Sequence, residues 1–568
     1  MHRIRLVILN ILVLSAAAVL IARLFQLQIV GHENFRALAA RQHELYQTLV
    51  PARGQIFAKE NREGGIVPVV TNIEKSLVFA EPPRVTDPQA AAAALAKILG
   101  LPKAEVLQRL TDTSRKWVVV KKELPESEAI AVDVLSIAGI GLEPEHYRYY
   151  PERVFASQVL GFYGYREESR AGQYGIEEYF QDTLAGSAGS LSLIKDLRGA
   201  WITGGEREVQ AAEDGADITL TLDRAVQYQA ENILKTAVEQ YEAADGSIVV
   251  LDPKTGAVIA MASYPSFDPN EFNKAPDAGL FRNRAVSDAY EPGSVFKAIT
   301  MAAALDSGAV TPDMTFEDVG YVQLDDFTIR NALEKVYGLQ TMTAVLEQSI
   351  NTGVIFAEQR TGHDQFYEVV KRFGFGEKTG ITLPSETPGD LRNLDRGGDV
   401  HFATAAFGQG ITVNLLQLAE AYAAIANGGR LMKAMLVEKI DRKNGSVETI
   451  APQEIRQVVS PKAAYTLGAM LVNVVENGHG KRAAVPGYYI AGKTGTAQIA
   501  RTDGRGYDPD RAIGSFIGFG PIDDPRFVIA VKITDPRAVR FAENTAAPTF
   551  GEMAKFLVNY YQIPPSRQ

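Results

Sequence analysis

A short stretch beginning at Pro292 constrains the fold of this chain more than any other. Pro292 and Gly293 form a backbone break, and residues 298–305 that follow are a largely apolar run of good helix formers. A helix that is apolar on every side is buried, so the sequence predicts a buried helix with Ser294 in its first turn. There the free N–H groups and the helix dipole favour developing negative charge.

Lys297 lies three residues after Ser294 and therefore on the same face of that helix. A lysine that is desolvated in such a helix has a reason to be neutral at pH 7, and a neutral amine can take the proton of a serine nucleophile. Ser-x-x-Lys alone is weak evidence, because many chains contain it by chance. Taken by itself, the tetrapeptide is explained more simply by a helix start with a solvated lysine.

Two further motifs change that balance. Residues 349–351 (Ser-Ile-Asn) follow a helical-looking segment, and residues 493–496 (Lys-Thr-Gly-Thr) precede two strand-like apolar runs. Ser-x-x-Lys, Ser-Asp-Asn and Lys-Thr-Gly in this order are the known signature of class A β-lactamases and penicillin-binding proteins. The chain has all three in that order, with Ile350 in place of the central Asp. The order and the structural contexts together favour an acyl-serine enzyme.

Longer stretches extend this likeness, and the chain resembles class B penicillin-binding proteins, which are monofunctional peptidoglycan transpeptidases. The resemblance covers the whole chain after the apolar N-terminal segment. The stretches that carry it are 283–286, 290–297, 407–411, 417–418 and 491–497, and upstream 148–151, 159–161 and 175–177.

The order of predicted elements is an α+β pattern. Strands at 217–222, 246–251 and 257–262 open the C-terminal half, and strands between 489 and 534 close it around a mostly helical insert. This pattern predicts one antiparallel sheet built from both ends of the domain. It agrees with the β-lactamase/transpeptidase-like fold that the resemblance implies.

Three regions are expected along the chain. Residues 1–30 would be a cytoplasmic tip and transmembrane anchor, 31–210 a mixed α/β non-catalytic pedestal for dimerisation or interaction, and 211–568 the penicillin-binding transpeptidase domain. No repeated module follows residue 562, so we expect no appended wall-binding domain. No catalytic constellation is visible between 31 and 210.

Within the pedestal, local patterns predict a helical stalk leaving the membrane and then alternating strands and helices. The stalk covers about 31–60. Strand-like runs occur at 66–70, 76–79 and 117–120, and helical runs at 87–110, broken at Gly100, and at 126–135.

The apolar run at residues 6–22 predicts a membrane-spanning helix. Its length is at the short end for a span, and tilt or snorkelling of Arg23 would complete it. Arg3 and Arg5 favour a cytoplasmic N-terminus, so the rest of the chain would be exported. A cleaved signal peptide is the alternative, but apolar residues continue without a polar cleavage region. The resemblance implies a single-pass protein of the bacterial plasma (inner) membrane with its catalytic domain outside the cytoplasm.

The composition excludes several classes of function and of functional site. The net charge of −10 gives no electrostatic support for nucleic-acid binding. The absence of cysteine excludes disulfides, thiolate nucleophiles and cysteine-ligated metals. No pair among the 7 histidines has metal-ligand spacing. We therefore expect neither a metal nor a cofactor.

The chemistry and the resemblance together suggest roles for the first two motifs. Ser294 would be the nucleophile and Lys297 the general base for acylation. Ser349 would relay the proton to the leaving D-alanine nitrogen. Asn351 would hydrogen-bond the donor peptide and keep Lys297 oriented.

The third motif would bind the substrate's terminal carboxylate. Lys493 supplies positive charge, and the Thr494 and Thr496 hydroxyls lie on one face of an extended strand because they are two residues apart. Gly495 has no side chain, which would let the acyl donor approach the strand closely. By resemblance, the backbone N–H groups of Ser294 and Thr496 would form the oxyanion hole.

The function implied is that of a peptidoglycan D,D-transpeptidase that cross-links stem peptides ending in D-Ala-D-Ala and is acylated by β-lactams. By resemblance, Ser-x-Asn rather than Ser-x-Asp in the second motif favours septal over elongation-type synthesis. The expected partners are then the membrane, a SEDS-type glycosyltransferase and other divisome proteins.

Two other classes of function remain open at the level of sequence. A D-Ala-D-Ala carboxypeptidase or a β-lactamase would pass the acyl group to water, but the membrane anchor and long non-catalytic region argue against a secreted β-lactamase. A non-catalytic scaffold or β-lactam sensor would keep only the fold. The complete motif set argues against a scaffold, and the few residues before the apolar run leave no room for a sensor's cytoplasmic effector.

Overall fold

A computed structural model describes residues 2–30, 44–60, 64–166, 169–194, 207–501 and 506–567. The chain divides into two compact units. The first contains Met1–Arg53 and Ala185–Gly215, and the second contains Gly54–Leu184 and Ala216–Gln568.

The first unit begins with an apolar helix, His2–Phe25, which continues into a π-helical turn, Gln26–Val30. The segment Val7–Val30 is long and apolar enough to cross a membrane, with a mean hydropathy of 2.4, and none of it is buried in the protein. Apolar side chains on every side of a helix are typical of a membrane span. The helix is compatible with the predicted single-pass anchor.

The first unit also contains a three-stranded antiparallel sheet. Gly189–Ile194 is its central strand, between Glu44–Leu49 and Arg207–Gln210. The prediction of a helical stalk over 31–60 is therefore wrong from residue 44 onward, while residues 31–43 lie outside the described part of the chain. Glu44–Leu49 pairs with a strand far along the chain, and a local sequence pattern carries no information on such a partner.

In the second unit, both the predicted pedestal and the predicted transpeptidase domain contribute strands to one sheet. Its pairs are antiparallel except for Ile56–Lys59 and Asp217–Asp223, which run parallel. The boundary at 210/211 stays a prediction. The strands lie in the order Val447–Thr449, Val437–Asp441, Asp217–Asp223, Ile56–Lys59, Ile66–Ala80 and Val118–Leu124, and Ile140–Tyr149 also pairs with Ile66–Ala80.

Three helices pack on the far end of this sheet around a small apolar core: Pro88–Leu99, Lys103–Thr111 and Glu126–Val134. The first is capped by the Asp87 side chain and ends at Gly100 in the left-handed conformation. The predicted helices at 87–110 and 126–135 are confirmed, with the predicted break at Gly100.

The C-terminal half is built on a five-stranded antiparallel sheet, as predicted, but the predicted strand at 217–222 lies in the shared sheet and not in this one. Both ends of that half contribute, because the strands that open it lie next to the strands that close it. Across the sheet the order is Val258–Tyr264, Asp245–Leu251, Phe527–Thr534, Tyr507–Gly520 and Ala491–Ala500. Ala491–Ala500, which carries the third motif, is therefore an edge strand.

Helices cover both faces of this sheet. Arg224–Gln240 and Ala546–Tyr560 pack on one face, and the fully buried helix Leu415–Ala426 packs on the other. Beyond it lies the buried helix Lys297–Asp306, in contact with Asn351–Thr361 and Pro461–Glu476. The first two motifs thus lie on neighbouring helices beside the edge strand.

Short elements complete the described chain. The remaining helices are Ser157–Leu160, Gly175–Tyr179, Gln181–Ala185, Arg284–Ser287, Met342–Glu347, His363–Arg372, Arg392–Arg396 and Asp399–Ala405. The 3₁₀ turns are Pro82–Arg84, Pro269–Lys274, Ala278–Phe281, Gly293–Phe296, Ala332–Glu334, Lys481–Ala483 and Ala542–Asn544. The remaining strands form the pairs Phe162–Arg166 with Ser169–Gln173, Thr315–Asp318 with Gly338–Thr341, Tyr321–Leu324 with Phe327–Arg330, and Arg430–Met432 with Glu454–Gln457.

Candidate active site

The candidate nucleophile Ser294 lies in the 3₁₀ turn Gly293–Phe296, directly before the buried helix Lys297–Asp306. This is slightly earlier than the predicted first α-helical turn, and the Ser294 side chain is half-buried. The Gly293 N–H donates to the Gly408 carbonyl at 3.0 Å. A Cβ on Gly408 would lie 2.3 Å from the Gly293 carbonyl oxygen. Only a glycine lets these two segments approach so closely.

The Lys297 side chain joins the first motif to the second. It is fully buried, and its Nζ lies 2.5 Å from the Ser349 carbonyl oxygen, 2.7 Å from Asn351 Oδ1 and 3.2 Å from Ser349 Oγ. Ser349 has a φ of +56°, a left-handed conformation that is costly for a residue with a side chain. The structure therefore brings together three of the predicted catalytic side chains.

Both motif lysines are in environments that favour the neutral amine. Burial lowers the pKa of Lys297 well below its ordinary value, and the nearby charge of Lys493 lowers it further. Burial likewise lowers the pKa of Lys493 to about 7. The expectation that Lys297 has a reason to be neutral at pH 7 thus has a physical cause in the fold.

The hydrogen bonds of Lys297 determine what its amine can do. Among the described residues, no hydrogen bond joins Lys297 Nζ to Ser294 Oγ; its acceptors are on Ser349 and Asn351. A neutral amine has two N–H donors and one lone pair. The two carbonyl oxygens are the closest acceptors and can take both donors. The lone pair is then free to accept a proton from a hydroxyl.

The third motif lies on the edge strand Ala491–Ala500. Lys493 is fully buried, and its Nζ donates to the Thr494 carbonyl at 3.2 Å and to Thr494 Oγ1 at 3.4 Å. Thr496 is exposed, and its Oγ1 accepts from the Ala542 N–H at 3.2 Å. Both hydroxyls therefore already have protein partners within hydrogen-bonding distance.

Gly495 makes the close approach of the nucleophile turn to this strand possible. A Cβ at this position would lie 2.9 Å from the Pro292 carbonyl oxygen, 2.9 Å from Val295 Cγ1 and 2.7 Å from Ser515 Oγ. The missing side chain is thus required by the protein's own packing. Its predicted role in admitting the acyl donor stays a prediction.

Comparison with known protein families assigns both halves of the chain. Residues 246–555 match the penicillin binding protein transpeptidase domain, and residues 48–220 match the penicillin-binding protein dimerisation domain. The chain belongs to the penicillin-binding protein transpeptidase family. The resemblance stated from the sequence is confirmed.

Individual relatives of this penicillin-binding protein extend over nearly its whole length. It is 34% identical to stage V sporulation protein D of Bacillus subtilis over 546 residues, which is 94% of this chain and 82% of the relative. It is 31% identical to the probable peptidoglycan D,D-transpeptidase PbpC of Pseudomonas aeruginosa, over 99% of this chain and 95% of that protein. Penicillin binding protein 3 of Mycobacterium tuberculosis, solved in complex with aztreonam, has a TM-score of 0.71 and 27% identity, covering 92% of this chain and 98% of that one.

Sequence reasoning missed a carboxylate beside the nucleophile of this penicillin-binding protein. Glu291 accepts from the Gly410 N–H at 2.9 Å, and the Tyr507 hydroxyl lies 3.0 and 2.9 Å from its two oxygens. Burial raises the pKa of Glu291. The carboxylate therefore ties the nucleophile turn to the glycine-rich segment 407–411 and to the strand Tyr507–Gly520. The only signal in the sequence was that Glu291 lies within the stretch 290–297.

Sequence reasoning also missed the residues behind the second motif. Asn351 Nδ2 donates to the Arg330 carbonyl at 3.0 Å, and Thr352, the next residue, donates to the buried Asp318 carboxylate at 2.7 Å. Arg330 and Asp318 belong to a small β-insert between the first two motifs, and no sequence pattern marked either of them. The insert consists of two strand pairs, Thr315–Asp318 with Gly338–Thr341 and Tyr321–Leu324 with Phe327–Arg330. Among the described residues of this penicillin-binding protein, no group of three or more histidine, aspartate or glutamate side chains is placed to hold a metal ion.

Proposed function

We propose that this chain is a peptidoglycan D,D-transpeptidase that works through an acyl-serine intermediate and is acylated by β-lactams. The observation that carries the proposal is the buried Lys297 amine, held by Ser349 and Asn351 one turn after Ser294. Membership of the transpeptidase family and the names of its relatives support it.

Acylation begins when the Ser294 hydroxyl attacks the carbonyl carbon of the penultimate D-Ala. Lys297, as the neutral amine, takes the hydroxyl proton, and a C–O bond forms as the peptide C–N bond breaks. The proton passes through Ser349 Oγ, 3.2 Å from Lys297 Nζ, to the leaving nitrogen of the terminal D-Ala. The products are the acyl-serine ester and free D-alanine.

Transfer reverses this chemistry with a different nitrogen. An amine of a neighbouring stem peptide attacks the ester carbonyl, gives up a proton to Lys297 and forms the cross-linking amide. The Ser294 oxygen leaves and regains its proton. A β-lactam follows only the first half, because its opened ring stays attached and no leaving group departs to make room for an acceptor.

Substrate binding is assigned to the edge strand. Lys493 and the Thr494 and Thr496 hydroxyls would hold the terminal carboxylate. To do so, the Thr496 hydroxyl would give up its contact with the Ala542 N–H for one with the carboxylate. The N–H groups of Ser294 and Thr496 would stabilise the oxyanion, where one such donor contributes about 3 kcal/mol to lowering the barrier. An edge strand also offers free backbone groups along which an extended stem peptide can lie.

Intact-protein mass spectrometry of the full chain in detergent tests the acyl-serine chemistry. Incubation with benzylpenicillin should give a stable one-to-one adduct that maps to Ser294 and disappears in Ser294→Ala. Penicillin consumption without a lasting adduct would indicate a β-lactamase instead. Neither adduct nor consumption would refute the proposal in favour of a non-catalytic scaffold.

The cellular role belongs to the same proposal. The helix His2–Phe25 would anchor the chain once in the bacterial plasma membrane, with the catalytic half outside the cytoplasm. The Ser-x-Asn form of the second motif supports septal synthesis, in which a SEDS-type glycosyltransferase and other divisome proteins would be the partners.

Depletion in the native bacterium tests the cellular assignment. Septal function predicts filamentous cells and a fluorescent fusion that gathers at midcell. Rounded cells, with the fusion spread along the side wall, would show an elongation-type enzyme instead.

A further inference from the structure

A buried polar cluster lies behind the second motif and is not used in the proposed chemistry. Asp318, Asn331 and Thr352 are 1%, 4% and 3% exposed. The Asp318 carboxylate accepts from the Gly320 N–H at 3.0 Å, the Tyr337 N–H at 2.7 Å and Thr352 Oγ1 at 2.7 Å. It also accepts from Asn331 Nδ2 at 3.0 and 2.9 Å. A buried carboxylate that accepts this many hydrogen bonds is held rigidly in one position.

The cluster connects to the catalytic lysine through two adjacent pairs of residues. Asn331 Oδ1 accepts from the Thr352 N–H at 3.1 Å, which joins the β-insert to the helix Asn351–Thr361. One residue earlier on each side, the Arg330 carbonyl accepts from Asn351 Nδ2 at 3.0 Å. The other end of the Asn351 amide, Oδ1, accepts from Lys297 Nζ at 2.7 Å.

The Arg330 carbonyl therefore determines which way the Asn351 amide faces. An amide has a donor end and an acceptor end of nearly the same shape, so it can bind either way round unless a partner selects one. With its donor end bound to Arg330, the acceptor end faces Lys297. Without that bond, the amide can turn its NH₂ group towards the amine.

The loop that follows Arg330 and Asn331 needs the cluster to keep its shape. Leu333 and Glu334 have φ values of +57° and +54°, and Leu333 is 88% exposed. The residues of the loop therefore do not favour its conformation by themselves. Asn331 Nδ2 closes the loop on the Lys335 carbonyl at 3.1 Å. Backbone strain that is maintained next to a candidate active site points to a functional constraint.

We propose that Asp318 is a positioning residue for acylation: through Asn331 and Thr352 it holds the Arg330 carbonyl against Asn351, and so keeps the Asn351 oxygen on Lys297. This inference rests on the proposed function. The inference adds to that function a site outside the three motifs, which determines how well Lys297 is oriented to act as the base.

A positioning role for Asp318 predicts an effect on the pH profile that a loss of stability alone would not produce. The Asn351 oxygen stabilises a protonated Lys297, so losing it lowers the pKa of Lys297 and makes the amine a weaker, less well-oriented base. The rate of acylation should then fall, and the acid limb of its pH profile should move to lower pH. Partial unfolding would lower the amount of active protein without moving that limb.

Thr352 provides the matched pair of variants. Thr352→Val keeps the shape but removes the hydroxyl bond to Asp318, whereas Thr352→Ser keeps the bond. The measurement is the acylation rate of the full chain in detergent by a fluorescent penicillin as a function of pH, with the thermal midpoint measured alongside. Thr352→Val should acylate between about tenfold and about 100-fold more slowly, as expected for a misplaced catalytic group. Its acid limb should lie at lower pH, and Thr352→Ser should match the wild type.

Asp318→Asn should show the same two effects, and Asp326→Asn is its control because Asp326 is an exposed residue in the same insert. If Asp318→Asn does not fold, the comparison of Thr352→Val with Thr352→Ser still tests the inference. Wild-type rates and pH profiles in Thr352→Val, or a slower rate with an unmoved acid limb, would overturn the inference. A wild-type chain that is not acylated would refute the proposed function, and this inference with it.

Discussion

At the scale of single residues, the two buried lysines of the site are coupled by charge. Lys493 lowers the pKa of Lys297, and the proposed mechanism requires Lys297 to be neutral for acylation. Lys493→Gln removes the charge, so the pKa of Lys297 should rise and the acid limb of the acylation pH profile should move to higher pH. The plateau should also fall, because the proposed contact to the substrate carboxylate is lost.

The acylation rate by a fluorescent penicillin across pH tests the coupling. Lys462→Gln is the control, since it removes the same charge at an exposed position where salt and water screen it. An acid limb that stays in place, or moves to lower pH, in Lys493→Gln would show that Lys493 does not set the basicity of Lys297.

The sequence indicated the motif residues but not the residues that support them. Ser294, Lys297, Ser349 and Asn351 could be singled out because the motifs have recognisable spacing. Asp318 could not, because its partners are defined only by the folded contacts of a small insert whose strands carry no catalytic pattern. A supporting carboxylate looks like any other acidic residue until its burial is known.

At the scale of elements, the edge strand and the nucleophile turn lie so close together that a single added methyl group should distort the site. Gly495→Ala would place a Cβ 2.9 Å from the Pro292 carbonyl, which is backbone and cannot swing away. The turn carrying Ser294 should be pushed from the strand. Acylation should then slow by about 100-fold, and overpacking should cost about 1–3 kcal/mol of the free energy of unfolding.

Rapid-mixing acylation measurements and a denaturant titration would measure the two effects. Gln498→Ala is the comparison, because Gln498 is exposed on the same strand. If Gly495→Ala acylated at the wild-type rate, the close packing of the turn on the strand would not be what positions Ser294.

Elements were predictable where their signal is local and not where it comes from a distant partner. The helix Pro88–Leu99 has its cap at Asp87 and its stop at Gly100 in the sequence itself, and it was predicted. The strand Glu44–Leu49 was predicted as helix, because only its pairing with Gly189–Ile194 makes it a strand. The shared sheet escaped prediction for the same reason: Asp217–Asp223 pairs on one side with Ile56–Lys59 and on the other with Val437–Asp441.

At the scale of the whole molecule, the second unit should unfold in one step although it contains two predicted domains. Besides the shared sheet, an aromatic cluster joins them. Phe162 of the predicted pedestal stacks on Phe272 at a ring distance of 4.3 Å and meets Phe281 edge-on at 4.8 Å, and both of these lie in the predicted transpeptidase domain. Large buried contacts across a domain boundary favour cooperative unfolding.

Phe162→Ala tests this cooperativity. Removing the buried ring should cost about 4 kcal/mol of the free energy of unfolding. Because the two halves are coupled, circular dichroism and residual penicillin binding should lose their signals at the same, lower urea concentration. Tyr165→Ala is the control in the same hairpin, because Tyr165 is 57% exposed and contacts Lys122 and Arg170 at the surface, so its loss should lower the midpoints much less than Phe162→Ala. If circular dichroism showed an early transition while penicillin binding kept its wild-type midpoint, the pedestal would unfold alone. The transpeptidase half would then derive its stability from its own core.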